Sequence, residues 1–339
     1  MSTPVAPRIE PGVAALRAGA TSRTPVRPGD ARSGSTFEWL VIDGQRYLLK
    51  TVSHATDWIM RVTGDVDQRT FRLWRSGLMH DLPPCLDHAV VAMARDGIGP
   101  DAVLGILMRE VSQALVPEGD DVVPMARHRA FLDAMAALGA HLAGWRDDLG
   151  LMPMERRLRF FAPDVLAPEL DRPDASAVVR IAERGWARLA AVDPELHALL
   201  ASVHRQPGPL VDALARTPAT FLHGDWKMGN LGSHPDGRTV LLDWAYPGAG
   251  PPCWDLAWYL ALNRARLPES KEDAVEAFRA ALARHGFDPG DWFDVQLRLC
   301  LLGVTATFGW EKALGPDDEL DWWASAAFAG ARLLGERGP

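Results

Sequence analysis

Ten residues, FLHGDWKMGN at 221–230, combine a histidine, an aspartate, a lysine and an asparagine with two glycines behind an apolar entry. A second polar side chain, Asp243, ends the apolar run TVLL at 239–242. Short apolar runs bounded by polar and glycine residues are typical of β-strands. Two short strands joined by a tight turn would place Asp225, Asn230 and Asp243 within reach of one another.

The types of these three side chains indicate a particular chemistry. Oxygen ligands such as Asn230 and Asp243 suit Mg²⁺, which takes few protein ligands and shares its remaining positions with water and phosphate. Asp225 is a carboxylate a few residues before the asparagine, and such a group can accept a proton from a hydroxyl nucleophile. The combination implies phosphoryl transfer from a nucleotide. The plainer alternative is a surface turn held by side-chain hydrogen bonds to its own backbone.

The segment HGDWKMGN at 223–230 and the later LLDW resemble motifs of the aminoglycoside phosphotransferase and choline kinase branch of kinase-like proteins. Kinases carry the catalytic base five residues before a metal-binding asparagine, in the pattern H-R-D-x-x-x-x-N. Asp225 and Asn230 keep that spacing, and Asp243 takes the place of the metal-binding aspartate of D-F-G. The resemblance also implies that Lys227 stabilises the transferred phosphate.

The resemblance extends to the amino-terminal third of the chain, where it implies a nucleotide-binding role. Lys50 ends the run RYLLK and matches the strand lysine that contacts the α- and β-phosphates. A short loop that covers the phosphates lies just before this strand pair, without the full G-x-G-x-x-G pattern, and a hinge binds the base through its backbone. The implied residues are Gly34, Ser35 and Thr36 in the loop, and Met108, Glu110 and Val111 in the hinge.

Two further positions bear on the resemblance. Asp255, in PCWDLAWYL, matches a family aspartate that braces the catalytic loop. The family pairs its strand lysine with a glutamate on the next helix, but the predicted helix at 65–79 contains none. Its nearest acids are Asp65 and Asp67. Either one of these substitutes, or Lys50 is held by another group, or the nucleotide site is impaired.

The elements around the motifs indicate an α+β chain with a two-lobed protein-kinase-like fold. STFEWLVIDGQRYLLKTV at 35–52 predicts a β-hairpin about its Asp-Gly pair. After Asp121 the apolar spacing becomes helical, as at Phe131, Met135 and Leu138. We therefore predict a loose arm at 1–33 with one short helix near 13–17, a small β-rich nucleotide-binding lobe at 34–107, a hinge at 108–117, and a large, mostly helical catalytic and acceptor-binding lobe at 118–339.

Composition restricts the class of protein further. Of 339 residues, 47% are hydrophobic and 24% charged, which is ordinary for a globular protein with a sizeable core. The net charge of -8 argues against a general nucleic-acid binder. Three widely separated cysteines argue against a disulfide framework or a zinc site. Because no segment reads as a signal peptide or as a membrane span, we expect a cytoplasmic protein without a membrane partner.

The expected function is that of a small-molecule kinase, which transfers the γ-phosphoryl group of ATP or GTP to a hydroxyl group with the help of Mg²⁺. The negative net charge, the acidic run GPDDELD at 315–321 and the tryptophans near the catalytic motif favour a cationic acceptor. Aminoglycoside-like antibiotics, amino sugars and amino alcohols fit that description. The alternatives are a catalytically impaired kinase-like protein that binds a ligand or nucleotide, and a kinase whose acceptor is a protein. The oligomeric state does not follow from the sequence.

Overall fold

The structure is a computed structural model that describes residues 6–26 and 33–335. Within these ranges there are eleven strands and twelve α-helices. The strands are β1 (Ile9–Glu10), β2 (Ala20–Val26), β3 (Thr36–Ile42), β4 (Gln45–Ser53), β5 (Leu86–Asp87), β6 (Val90–Asp96), β7 (Val103–Arg109), β8 (Thr220–Leu222), β9 (Leu231–Ser233), β10 (Thr239–Leu241) and β11 (Gly248–Gly250). The helices are α1 (Trp58–Thr63), α2 (Arg69–Ser76), α3 (Met125–His141), α4 (Met154–Leu158), α5 (Pro163–Leu170), α6 (Ala177–Val192), α7 (Pro194–Arg205), α8 (Gly208–Ala215), α9 (Cys253–Leu262), α10 (Lys271–Arg284), α11 (Trp292–Lys312) and α12 (Asp317–Gly335).

A six-stranded sheet in the order β1-β6-β7-β4-β3-β2 forms the amino-terminal part of the molecule. Its central hairpin, β3–β4, pairs Ile42 with Gln45 across the turn Asp43-Gly44. Both turn residues have positive φ, 50° and 73°. Type I′ hairpin turns need this conformation at both central residues, and Asp-Gly sequences favour it. The hairpin predicted from the sequence is therefore confirmed.

The segment predicted as a loose arm instead contributes to the sheet over residues 9–26. Strand β1 pairs in parallel with β6, and β2 pairs antiparallel with β3. Between them a short 3₁₀ turn, Ala15–Arg17, occupies the position of the predicted helix. Val13 and Leu16 are buried there and pack closely against Gly105 of β7. One continuous segment thus covers both edges of the sheet; the rest of the predicted arm up to residue 32 lies outside the described ranges.

The carboxyl-terminal part is mostly helical and contains two small sheets. The two short strands predicted on either side of the motif are present as β8 and β10, but β9 lies between them in the chain where a tight turn was predicted. Strand β10 lies between β5 and β9, and β8 pairs with β11. Strand β5 lies in the chain just before β6 and β7 of the large sheet. Its parallel pairing with β10 therefore joins the amino-terminal part of the molecule to the helical part.

Long helices pack around these small sheets. Helix α3 buries Phe131, Met135 and Leu138, as the helical spacing predicts. Helix α11 is buried along most of its length and contacts α6, α9 and α12, as expected for a central helix that is apolar on all sides. A β-rich part followed by a mostly helical part confirms the two-lobed α+β architecture. The lobe and hinge boundaries at 34–107, 108–117 and 118–339 stay a prediction.

Candidate active site

The catalytic loop, defined here as residues 223–230, begins where β8 ends and closes in a 3₁₀ turn, Met228–Asn230. Gly224 within it has a φ of +84°. A Cβ atom at this position would lie 2.4 Å from the carbonyl oxygen of Tyr246. Only glycine combines this backbone conformation with so close an approach. The glycine therefore allows the loop to pack tightly onto the segment that follows Asp243.

Asp255, at the start of α9, braces the catalytic loop as predicted. Its carboxylate accepts hydrogen bonds from the backbone N–H groups of His223 (3.0 Å) and Gly224 (2.9 Å). It also accepts one from the indole N–H of Trp226, at 3.0 Å. Burial raises the pKa of Asp255 to about 6, although buried Arg157 and these three donors act in the opposite direction.

Asp225 points its carboxylate into the site and is 5% exposed. Its Oδ1 atom accepts a hydrogen bond from the indole N–H of Trp258 at 2.9 Å, and its Oδ2 atom accepts one from the Asn230 amide at 2.8 Å. Burial raises the pKa of this carboxyl group above its usual range, and Lys227 is the main group that opposes the rise. A buried carboxylate of raised pKa is suited to accept a proton.

His223, the other titratable group of the motif, is fully buried and does not have the properties of a proton carrier. Burial lowers the pKa of His223 to about 3, so the imidazole is neutral at physiological pH. Its Nδ1 atom accepts a hydrogen bond from the backbone N–H of Asp225 at 3.2 Å. The histidine therefore supports the loop.

Asp243 follows β10 and forms an ion pair with Lys50 of β4, at 2.8 Å between Nζ and Oδ1. The pair joins the large sheet to the catalytic part of the molecule. Burial tends to raise the pKa of Asp243, but Lys50 and Lys227 outweigh it and leave the pKa below its usual value. Asp243 has a φ of +59°, unusual for a residue other than glycine, and such strain is typical of functional positions.

Lys50 has a different partner from the acids proposed on sequence grounds. Asp65 accepts a hydrogen bond from the backbone N–H of Arg69 at 2.8 Å, which places it in the entry to α2. Gln68 donates its amide to the Ala102 carbonyl at 2.8 Å. Asp243 is thus the ion-pair partner of Lys50 in this structure, where the resemblance led us to expect an acid on the next helix.

A cavity of about 220 Å³ lies between the large sheet and the catalytic loop. Six of the predicted site residues line it: Lys50, Met108, Asp225, Lys227, Asn230 and Asp243. Its apolar lining includes Leu48, Val90 and Ile106 from neighbouring strands. Apolar walls with a few convergent polar groups are typical of a nucleotide or substrate site.

The remaining predicted residues do not line this cavity. A Cβ atom on Gly34 would lie 2.2 Å from the carbonyl oxygen of Thr56, which shows how closely this loop packs on the segment before α1. The hydroxyl of Ser35 donates to Asp57 at 3.3 Å. The neighbouring Ser33 contributes to the lining, whereas Gly34, Ser35 and Thr36 do not.

Of the predicted hinge residues, likewise, only some line the cavity. Met108 contributes to the cavity, whereas Glu110 and Val111 do not. The Glu110 carboxylate accepts a hydrogen bond from the backbone N–H of Ser112 at 2.9 Å and forms an ion pair with Arg46. This side chain is therefore engaged at the edge of the hinge. Base recognition through the backbone of this segment stays a prediction.

The donor set around Asn230 and Asp243 fits Mg²⁺. The side-chain amide nitrogen of Asn230 donates to the carbonyl and carboxylate oxygens of Asp225. The side-chain oxygen of Asn230 therefore points away from Asp225. Asp243 uses only Oδ1 for Lys50. In residues 6–26 and 33–335, no group of three or more His, Cys, Asp or Glu side chains could hold a metal ion. Magnesium requires fewer protein ligands when phosphate supplies the rest.

Sequence reasoning missed two residues that form hydrogen bonds with the predicted site residues Ser35 and Asp225. Asp57 is buried and caps α1 by accepting a hydrogen bond from the backbone N–H of Met60 at 3.0 Å. An aspartate directly before the apolar run WIMRV is a helix-start signal that would have identified this cap. Trp258 donates to the Asp225 carboxylate, but nothing in its sequence context distinguishes it from the other buried tryptophans of the described chain.

Solved structures of several small-molecule kinases resemble this architecture. The microcompartment-associated aminopropanol kinase shares 12% identity over 95% of this chain and 94% of its own, with a TM-score of 0.51. LicA in complex with AMP shares 12% identity over 94% of each chain, also with a TM-score of 0.51. Choline kinase LicA from Streptococcus pneumoniae shares 13% identity over 96% of each chain, with a TM-score of 0.47.

These likenesses show a protein-kinase-like fold. The model of the phosphotransferase enzyme family, APH, matches residues 32–293, and the chain belongs to this family. The comparison with curated proteins gave no match. Among the helices of the described ranges, none is long and apolar enough to cross a membrane.

Proposed function

We propose that the protein transfers the γ-phosphoryl group of a nucleoside triphosphate, ATP or GTP, to a hydroxyl group of a small molecule. Asp225 accepts the hydroxyl proton while the acceptor oxygen forms its bond to the γ-phosphorus. The bond between the γ-phosphorus and the β–γ bridging oxygen breaks, and a nucleoside diphosphate leaves. The protein's contribution to such a loose transition state is mainly positioning and charge stabilisation.

The cations of the cavity fit the phosphate groups of this substrate. Lys50 and Lys227 line the same cavity as Asp243, and both lower the pKa of this carboxyl group. In the proposal Lys50 binds the α- and β-phosphates, and Lys227 stabilises the transferred group. Asn230 and Asp243 hold Mg²⁺, which neutralises phosphate charge when it is bound.

The observation that carries the proposal is the convergence of Asp225, Asn230, Asp243 and Lys50 on one cavity. The direct test measures nucleotide consumption with ATP and GTP against amino sugars, aminoglycosides, amino alcohols and neutral polyols. Acceptor-dependent consumption and a phosphorylated product, identified by mass spectrometry, would support the proposal. Nucleotide binding without turnover across the panel would favour the impaired binding protein instead, an alternative motivated by the missing helix glutamate.

Replacement of Lys50 by alanine is expected to raise the KM for nucleotide several-fold, because the phosphates lose a cation inside the cavity. Removal of Lys50 also frees Asp243 from its ion pair. The loss of the phosphate contact and the release of Asp243 must therefore be measured separately. The measurement is steady-state kinetics at saturating acceptor and several Mg²⁺ concentrations. A Lys50→Ala enzyme with normal KM and normal kcat would refute the assigned role of this lysine.

We further propose that the acceptor is cationic, on the basis of the net charge of -8 and the exposed acids that begin α12. Gly315, just before this helix, packs on Arg264, whose neighbour Asn263 accepts a hydrogen bond from the backbone N–H of Met228 in the catalytic loop. Glu319 does not contribute to an exposed acidic rim, because it is buried and forms an ion pair with Lys271. The exposed acids of this run are Asp317, Asp318 and Asp321.

Neutralisation of Asp317 and Asp318 to asparagine is expected to lower kcat/KM for a cationic acceptor and to reduce its dependence on salt. Exposed charges of this kind act at long range and are screened over about 10 Å at 0.1 M salt. The matched control neutralises two exposed acids elsewhere, with Glu183→Gln and Asp212→Asn. Salt-independent kinetics in the wild type, or a neutral or anionic best acceptor, would contradict the cationic assignment.

A further inference from the structure

Two tryptophan–aspartate hydrogen bonds join the catalytic loop to α9, and each element supplies one donor and one acceptor. Trp226 of the loop donates its indole N–H to Asp255 of α9 at 3.0 Å. Trp258 of α9 donates its indole N–H to Asp225 of the loop at 2.9 Å. The Asp255 bonds hold the backbone of the loop in place, whereas the Trp258 bond holds the reacting carboxylate itself.

Each oxygen of the Asp225 carboxylate receives one side-chain donor, Trp258 at Oδ1 and Asn230 at Oδ2. Two donors on opposite oxygens fix the rotation of the carboxylate plane. Every carboxylate oxygen has a second lone pair, so both oxygens can still accept from a substrate hydroxyl. These two hydrogen bonds therefore restrict the direction in which Asp225 can meet its substrate.

The two donors, Asn230 and Trp258, differ in their other contacts and assigned roles. Asn230 lines the nucleotide cavity and is assigned to the metal, whereas Trp258 is absent from the cavity lining. The Trp258 ring is held by aromatic neighbours, stacked on Phe160 with an interplanar angle of 5° and edge-on to Phe308 at 4.7 Å. A buried ring with fixed neighbours aims its N–H group in one direction.

We infer that Trp258 is a positioning residue for phosphoryl transfer, which holds the Asp225 carboxylate in the orientation that receives the acceptor hydroxyl. This inference rests on the proposed function, since it acts on the proposed base. It assigns Trp258 to the transfer step and not to nucleotide binding.

The first test is Trp258→Phe, which keeps an aromatic ring in the packing but removes the N–H donor. We expect kcat to fall about ten-fold or more, since a hydrogen bond to a charged group contributes roughly 1.5–3 kcal/mol. The KM for nucleotide should remain at the wild-type value, because Trp258 does not line the cavity.

The chain offers a matched control one helical turn away. Trp254 lies on the same helix, is fully buried, and its indole N–H has no hydrogen-bond partner in the described part of the chain. Trp254→Phe removes the same atoms from the same helix without removing a hydrogen bond. Equal losses of kcat in the two variants, at similar thermal stability, would overturn the inference and leave a packing role alone. A rise in nucleotide KM with unchanged kcat would overturn it as well.

The second test needs no acceptor and so separates this inference from the proposed function. In a proton–nitrogen NMR spectrum, the indole signal that is missing from Trp258→Phe is assigned to Trp258. We expect that signal to shift in Asp225→Ala, whereas the Trp254 signal, assigned in the same way, stays in place. An unmoved Trp258 signal would show that the bond to Asp225 is absent in solution, whether or not any acceptor is phosphorylated.

Discussion

Replacement of Asp225 by alanine is expected to lower the rate of phosphoryl transfer by about 10² to 10⁴-fold, the usual contribution of a general base. The expectation follows from the burial of this carboxylate and the raised pKa that burial gives it. Nucleotide affinity should change little, because the phosphates are assigned to Lys50 and the metal site. The measurement combines steady-state kinetics with calorimetric titration of nucleotide.

The Asp225→Ala variant also leaves the Trp258 and Asn230 donors without their acceptor, so its fold must be checked independently. An unsatisfied buried donor costs about 1–3 kcal/mol, and a lowered melting temperature is expected. Asp212→Ala, at an exposed position of α8, serves as the control for the loss of an acidic side chain. A variant at position 225 that retains more than about a tenth of the wild-type rate would exclude the base role.

Replacement of Asp243 by alanine is expected to reduce the dependence of nucleotide binding on Mg²⁺. With Mg²⁺ present the variant should bind nucleotide more weakly, because the cation loses an oxygen ligand. Without Mg²⁺ it should bind at least as tightly as the wild type, since a negative charge near the phosphates is removed and Lys50 is released from its 2.8 Å ion pair. Calorimetric titrations across a series of Mg²⁺ concentrations measure both effects.

Asn230→Ala is the matched comparison for this prediction. It removes an oxygen ligand without removing a charge or releasing Lys50, so we expect weaker binding with Mg²⁺ and no gain without it. If both variants keep the wild-type dependence on Mg²⁺, the metal assignment of Asn230 and Asp243 is wrong.

The sequence predicted most accurately the features that are local in the chain. The five-residue spacing of Asp225 and Asn230, and the Asp43-Gly44 turn, each depend on a few neighbouring residues. The apolar period of α3 is equally local. A spacing of this kind determines which side chains can converge, and the structure does bring Asp225, Asn230 and Asp243 to one cavity.

Features that depend on distant pairing could not be predicted in this way. Strand β1 is two residues long and pairs in parallel with β6, more than eighty residues later. Strand β2 contains Pro25, which sequence reasoning takes as evidence against a strand. The proline is tolerated because β2 is an edge strand, which within residues 6–26 and 33–335 pairs only with β3.

Side-chain partners within the site could not be predicted from the sequence for the same reason. The ion pair of Lys50 joins residues separated by 193 positions, and Ser35 bonds to Asp57 instead of lining the cavity. Likewise, the contact of Trp258 with Asp225 depends on how α9 packs against the loop. No short pattern encodes these contacts, because they are set by the assembled core.

The path of residues 9–26 along the large sheet has a practical consequence for producing the protein. Strands β1 and β2 are the two outermost strands, and they belong to one stretch of chain. A recombinant start site placed after residue 26 would therefore expose the hydrogen-bonding edges of β6 and β3 at once. Exposed edges pair with other chains. A truncated preparation of this kind would aggregate through its sheet, although every residue of the catalytic loop would still be present.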